Sequence, residues 1–225
     1  MHIRVSPLRT VFLASLLSLL PSALMATATA PTTANTNNSV SFSTADFEAA
    51  SRGSIQNSVL DLALNAATCA VRSGKVNNPR TLTVIDYSRP SSEKRMWVYD
   101  LQTRNLLYEE LVAHGQGSGG NVPNAFSNEP ETHRTSLGLF ATDTTYLGKN
   151  GYSLRLDGLD AGLNDRARER AIVIHGAPYV SQNFVQANGR LGRSWGCPAL
   201  DPSVAPEIID RIQAGSVLFA VGPGS

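Results

Sequence analysis

The spacing of strand-like runs constrains this chain more than any other feature. From Pro79 onward, Thr81–Tyr87, Met96–Leu101, Leu106–Ala113, Leu137–Thr142, Tyr152–Leu156, Ala171–His175 and Ser216–Val221 are apolar or alternate with period two. Two segments between them carry a helical pattern: Asn164–Arg170, with Asn164 as a cap, and Ser203–Gln213, which ends before Gly215. Regular strand–helix–strand alternation is missing, which argues against a doubly wound parallel fold. The expectation is a mainly β core with short helices, built as a sandwich or compact mixed sheet. A length of 225 residues gives room for one well-buried domain plus an appendage, and no internal repeat is visible.

The appendage precedes the strands. Arg4 and Arg9 stand before the apolar run Val11–Leu20, followed by Pro21 and the small residues Ala26-Thr27-Ala28. This reads as a secretory signal peptide over 1–28, too short in its apolar part to span a bilayer. It implies export, to the periplasm or beyond, with no membrane attachment after cleavage. Residues 29–42 are rich in Thr, Ala, Asn and Pro without apolar period and read as a flexible linker. Residues 43–78 read as a helical preface: Ser43 with Asp46 resembles a helix-start box, and Gly53-Ser54 divides a short helix from a longer one ending near Gly74. The expected folded core domain covers 79–223.

With 42% hydrophobic and 16% charged residues the composition suits a soluble globular protein, and a net charge of +1 offers no basic field for nucleic acid. Two cysteines in an exported chain could form a disulfide. Cys69, however, falls at helical spacing with Ile55, Val59, Leu62 and Ala66, which predicts a buried, inert thiol.

Chemistry concentrates in Gly192-Arg193-Ser194-Trp195-Gly196-Cys197-Pro198, a glycine-rich turn with two candidate nucleophiles. The first five residues match the G-x-S-x-G elbow, yet that fold places its histidine after the serine and no histidine follows Ser194. A thiol needs only a nearby imidazole to share its proton, and the base may precede it. His2 is lost with the signal, leaving His114, His133 and His175. His175 closes the apolar strand Ala171-Ile172-Val173-Ile174 and is followed by Gly176, a place where rigid scaffolds present catalytic side chains. Cys197 as nucleophile and His175 as base is therefore the favoured pairing.

At this point the residues resemble a known family. His175-Gly176 followed, after one loop, by Ser194-Trp195-Gly196-Cys197 resembles the signature of L,D-transpeptidase catalytic (YkuD-like) domains. Val112-Ala113-His114-Gly115, then Thr135-Ser136-Leu137-Gly138-Leu139-Phe140, resembles the strand, loop and turn before the catalytic half, and Ala214-Gly215-Ser216-Val217-Leu218 resembles the last strand. The likeness covers roughly Arg80 to Val221. Trp195 stands where the family usually has His, and Ala199 where it usually has Arg, so the chain is similar to a divergent proteobacterial branch of murein L,D-transpeptidase catalytic domain proteins.

The resemblance implies a YkuD-like core and attack of Cys197 on a peptidoglycan tetrapeptide stem. The carbonyl attacked joins the third-position diamino acid to the fourth-position D-alanine. A thioester results, and an amine resolves it to a cross-link or water to an L,D-carboxypeptidase product. Backbone N–H groups around Gly196 and Cys197 are the expected oxyanion donors. Gly176, Ser194, Trp195, Arg193 and His114 complete the expected oxyanion and substrate-binding set, with Arg193 and His114 as substitutes for the two missing motif groups. His175 requires an acceptor on its other nitrogen, in this family commonly a backbone carbonyl. Neither a metal nor another cofactor is implied.

Three other readings were weighed. Gly115-x-Gly117-x-x-Gly120 matches the dinucleotide fingerprint, but Asn121-Val122-Pro123-Asn124 does not open the helix that the fingerprint needs. His114, His133, His175 and Cys197 could bind zinc if the fold gathered them, although none lies at a short ligand spacing. A non-catalytic wall-binding module could share the fold. The polar stretch His114–Ser136, with three glycines within 117–120, is long for an unstructured connection and reads as functional or mobile.

Overall fold

The computed structural model describes residues 40–224. The expected signal peptide, and the expected linker up to residue 39, lie outside them. No helix among the described residues is long and apolar enough to cross a membrane.

Eight strands form one mixed sheet: β1 (Thr81–Asp86), β2 (Met96–Asp100), β3 (Leu106–Glu110), β4 (Gly138–Gly148), β5 (Gly151–Gly158), β6 (Val173–Gly176), β7 (Ala199–Leu200) and β8 (Val217–Val221). Their order is β3-β2-β1-β8-β4-β5-β6-β7. The β1–β8 and β6–β7 pairs are parallel and the others antiparallel. The fold is thus mainly sheet with short helices, α1 (Asn57–Arg72), α2 (Gln182–Asn188) and α3 (Ala205–Ile212).

Period-two alternation sends each strand's side chains to two different cores. Leu82 and Val84 of β1 join Trp97 and Tyr99 of β2 and Val217 of β8 under α1, which contributes Leu60, Ala63, Leu64 and Ala67. Ile85, Met96, Val98, Leu218 and Ala220 face the other way, against Ile208, Ile209 and Ile212 of α3. The sheet is covered on both faces, which is why β1 is buried at every position.

Several local expectations need correction. Residues 164–170 form a run of turns, not a helix. Asn164 is fully buried and donates its amide to the Leu137 and Leu139 carbonyls at 2.9 and 3.0 Å, while its Oδ1 accepts from Asp160 N at 2.9 Å. It bridges a loop to β4 instead of capping a helix. The Ser43–Asp46 box exists, with Ser43 N donating to Asp46 Oδ2 at 3.0 Å, but it caps a single 3-10 turn, Thr44–Asp46, and a second turn spans Ala49–Ser51. Phe47 then leaves that path to pack edge-on against Tyr99, ring centres 5.5 Å apart. β4 runs past the expected Thr142 to a hairpin closed by Lys149-Asn150, with a bulge between Thr142 and Thr145, and β5 continues past the expected Leu156 to Gly158 at its other end.

Cys69 is exposed, not buried. The buried face of α1 is Leu60, Ala63, Leu64, Ala67, Thr68 and Ala70, where small alanines let the helix lie close to the sheet. Val59 and Ala66 only border that face, and Leu62 points outward. Cys69→Ser is accordingly expected to change stability by no more than about 0.5 kcal/mol. A fall in Tm beyond about 4 °C would contradict this placement.

Candidate active site

The site lies at the edge of the sheet where β6 and β7 pair. The parallel register sets His175 opposite Ala199, and Cys197 lies two residues before that paired position, in the turn that leads into β7. Both side chains are largely buried, at 5% and 9% exposure. No hydrogen bond joins them in this structure.

His175 Nδ1 lies 2.9 Å from the carbonyl oxygen of Gly176. A carbonyl only accepts, so Nδ1 carries the proton and Nε2 keeps its lone pair. Burial holds the imidazole pKa below its ordinary value, against the opposing pull of the Gly176 bond, so the ring is neutral near neutral pH. The Cys197 pKa moves the other way. Burial raises it, and the Val173 N–H and Arg170 guanidinium offset part of the rise. The resting pair is therefore neutral imidazole and thiol, with the S–H directed to the Ala171 carbonyl at 3.7 Å.

Two glycines make the Cys197 turn possible. Gly196 has φ +116°, and a Cβ there would stand 2.8 Å from Arg134 O and 3.0 Å from Ile172 Cδ1. Gly115 runs alongside, and a Cβ on it would meet His133 O at 2.3 Å and the Gly196 backbone at 2.9 Å. Ser194 staples the turn from within: its hydroxyl donates to Cys197 O at 2.6 Å and accepts from Gly196 N at 3.1 Å. Its own backbone is bonded to both His114 O and Gln116 N, at 2.9 and 2.8 Å. Gly196 N–H is so occupied, whereas the Cys197 N–H is not used in a hydrogen bond of the turn.

The other expected site residues take different positions. Trp195 is 64% exposed, stacked on His133 with ring centres 4.8 Å apart and planes 9° from parallel, and Lys149 Nζ lies 5.6 Å from its ring. Arg193 is held by Gly119 O at 2.8 Å. His114 is fully buried, and its Nδ1 accepts from Arg95 Nη2 at 2.8 Å. Burial and the Arg95 charge lower the His114 pKa to about 4, so it stays neutral. It cannot supply the positive charge that the missing motif groups would have given. Gly176 ends β6 and offers its carbonyl to His175. Among the described residues no three His, Cys, Asp or Glu side chains gather where they could hold a metal ion.

Three nearby residues carried no signal in the sequence. Arg170 reaches the turn from the segment expected to be a helix, and its Nη2 would stand 3.4 Å from a Cβ at Gly196. Tyr87 and Tyr179 are tied electrostatically to Cys197: burial raises both phenol pKa values, Tyr179 to about 12, and a Cys197 thiolate adds to the rise. Tyr87 is fully buried and its hydroxyl has no hydrogen-bond partner.

Among solved structures, an L,D-transpeptidase from Mycobacterium smegmatis shares 15% identity, covering 64% of this chain and 59% of its own, with a TM-score of 0.40. The cell shape determining protein Pgp2 from Campylobacter jejuni shares 12%, covering 67% and 50%, with a TM-score of 0.45. An L,D-transpeptidase from Xylanimonas cellulosilytica shares 13%, covering 69% of each chain, with a TM-score of 0.37. The chain spans 59% of the first of these and 50% of the second. No curated protein matches it. The profile of the L,D-transpeptidase catalytic domain family matches residues 51–221, which takes in most of the preface as well as every strand. With three quarters of its residues under that profile, the chain belongs to the L,D-transpeptidase catalytic domain family.

Proposed function

We propose that the protein is a peptidoglycan L,D-transpeptidase with Cys197 as nucleophile and His175 as general base. The observation that supports this most is the His175 ring fixed by Gly176 O, neutral and with Nε2 available, on the strand that pairs with the segment carrying the buried Cys197 in its glycine turn. Geometry that is loose in a substrate-free site commonly tightens once substrate binds.

Each step balances without a cofactor. His175 Nε2 takes the S–H proton as Sγ attacks the carbonyl carbon between the diamino acid and D-alanine, and the Cys197 N–H faces the developing oxyanion. The C–N bond breaks, His175 returns the proton to the departing amine, and a thioester remains. A second stem's amine then attacks, His175 accepts its proton, and the thiolate leaves to be reprotonated. Water in place of the amine gives the carboxypeptidase product. The stem peptides are the proposed partner, and residues 1–28 support work outside the cytoplasm.

Incubating the protein without residues 1–28 with purified tetrapeptide muropeptides, and weighing the products, tests the proposal. Loss of D-alanine with dimer formation is expected, whereas loss with monomeric tripeptide alone would assign hydrolysis. Unchanged muropeptides together with an unreactive Cys197 would favour a non-catalytic wall-binding module.

A further inference from the structure

Arg166, Arg168 and Arg170 alternate along one short segment, yet they are treated differently by the fold. Arg166 pairs with Glu129 and Glu169, and Arg168 with Asp143 and Asp157. None of the ion pairs among the described residues uses Arg170. Its guanidinium donates instead to neutral oxygens: Ser127 O at 2.7 Å, Ser136 Oγ at 2.5 Å and Arg134 O at 2.6 Å. A half-buried cation with no carboxylate in ion-pair contact is costly to desolvate; its neutral acceptors, and the more distant Glu129, offset only part of that cost.

What the cation faces accounts for it. Arg134 O, which accepts from Arg170, is the same atom that crowds Gly196, and the next residue, Ala171, receives the Cys197 S–H. Ala171 has φ +52°, turning the chain so that Arg170 and the Ala171 carbonyl both border the nucleophile turn. Arg170, Tyr87 after β1 and Tyr179 after β6 couple electrostatically to the thiol, and His175 on β6 pairs two residues beyond it. The tyrosines and His175 are neutral near neutral pH, so Arg170 alone brings charge.

We propose that Arg170 is a positioning residue whose fixed positive charge stabilises the Cys197 thiolate, in place of the cation that Ala199 cannot supply. This rests on the reading of Cys197 as nucleophile. The rival is a purely structural role, in which Arg170 only ties residues 127–136 to the turn.

Alkylation by iodoacetamide separates the two, because Sγ displaces iodide from the reagent's methylene carbon at a rate set by the thiolate fraction. The reaction is followed against pH in a Cys69→Ser background, so that Cys197 alone reports. Arg170→Gln and Arg170→Met should raise the pH midpoint by about one unit, and Arg170→Lys should keep it near the parent value. An unmoved midpoint in the neutral variants, or equal shifts in all three, would overturn the proposal. If the neutral variants do not fold, the unaltered arginine carries the test: half exposed, it is screened by added salt, which should lift the midpoint. A salt-independent midpoint then overturns it. The readout is thiol chemistry, so an absent muropeptide product combined with a shifted midpoint would sink the stem-peptide reading and leave the cation's role standing.

Discussion

Replacing Cys197 with alanine is expected to abolish turnover of tetrapeptide muropeptides, a loss on the order of 10⁴-fold or more, because no other group can carry the acyl intermediate. Ser194→Ala should behave differently although it changes the same turn. Its hydroxyl bridges Gly196 N and Cys197 O, so its loss loosens the nucleophile without removing it. Displacement of a reacting atom by about 1 Å lowers rates on the order of 10²-fold, and a measurable remnant should survive. Product mass spectra at matched protein concentration check both variants. Activity in Cys197→Ala equal to the parent would refute the mechanism.

The second large effect belongs to His175→Ala, expected to lower kcat/KM by about 10²–10⁴-fold near neutral pH. Its pH profile is the sharper test. Burial lowers the His175 pKa, so in the parent the base form persists as pH falls through 6.5 and activity is lost only below that ordinary value. Burial raises the Cys197 pKa above 9.0, so spontaneous ionisation contributes little at neutral pH and the imidazole must take the proton during attack. Without the imidazole, activity should climb with pH into the alkaline range as the thiol ionises unaided. An acid limb in the parent lying above 6.5, or a flat profile in the variant, would contradict these assignments.

Much of the architecture could be read from residues because period-two burial leaves a direct trace. Met96-Trp97-Val98-Tyr99 is apolar throughout since both faces of β2 meet a core. His175 could be singled out because it ends such a strand before glycine in a chain that also carries a glycine-flanked cysteine. Arg170 could not. In Asp165-Arg166-Ala167-Arg168-Glu169-Arg170 the charges read as the wet face of a helix, and only tertiary folding turns one of them to the Cys197 turn. Asn164 shows the same ambiguity, since the side-chain bonding that suits a cap also suits bridging Leu137 and Leu139. At two residues β7 is too short to have a period, and it owes its existence to His175 and Gly176 beside it. Cys69 was misplaced because α1 carries two overlapping apolar stripes, and the sheet accepts the one with more alanines.

The position of β8 bears on how a nascent chain reaches this structure. β8 lies between β1 and β4, so the seam of the sheet is its last-made strand. Until Val217–Val221 leaves the ribosome, β1–β3 and β4–β7 are two half-sheets that meet through the Ala113–Ala199 and Gly115–Ser194 bridges but lack the strand that pairs with both β1 and β4. Translation at about 5–20 residues per second leaves the first half waiting for several seconds. Throughout that interval β1 and β4 each present an open edge, the kind of surface that pairs with a neighbouring chain. A holdase that covers those edges during synthesis would protect this protein more than one acting after release, because one late strand closes both at once.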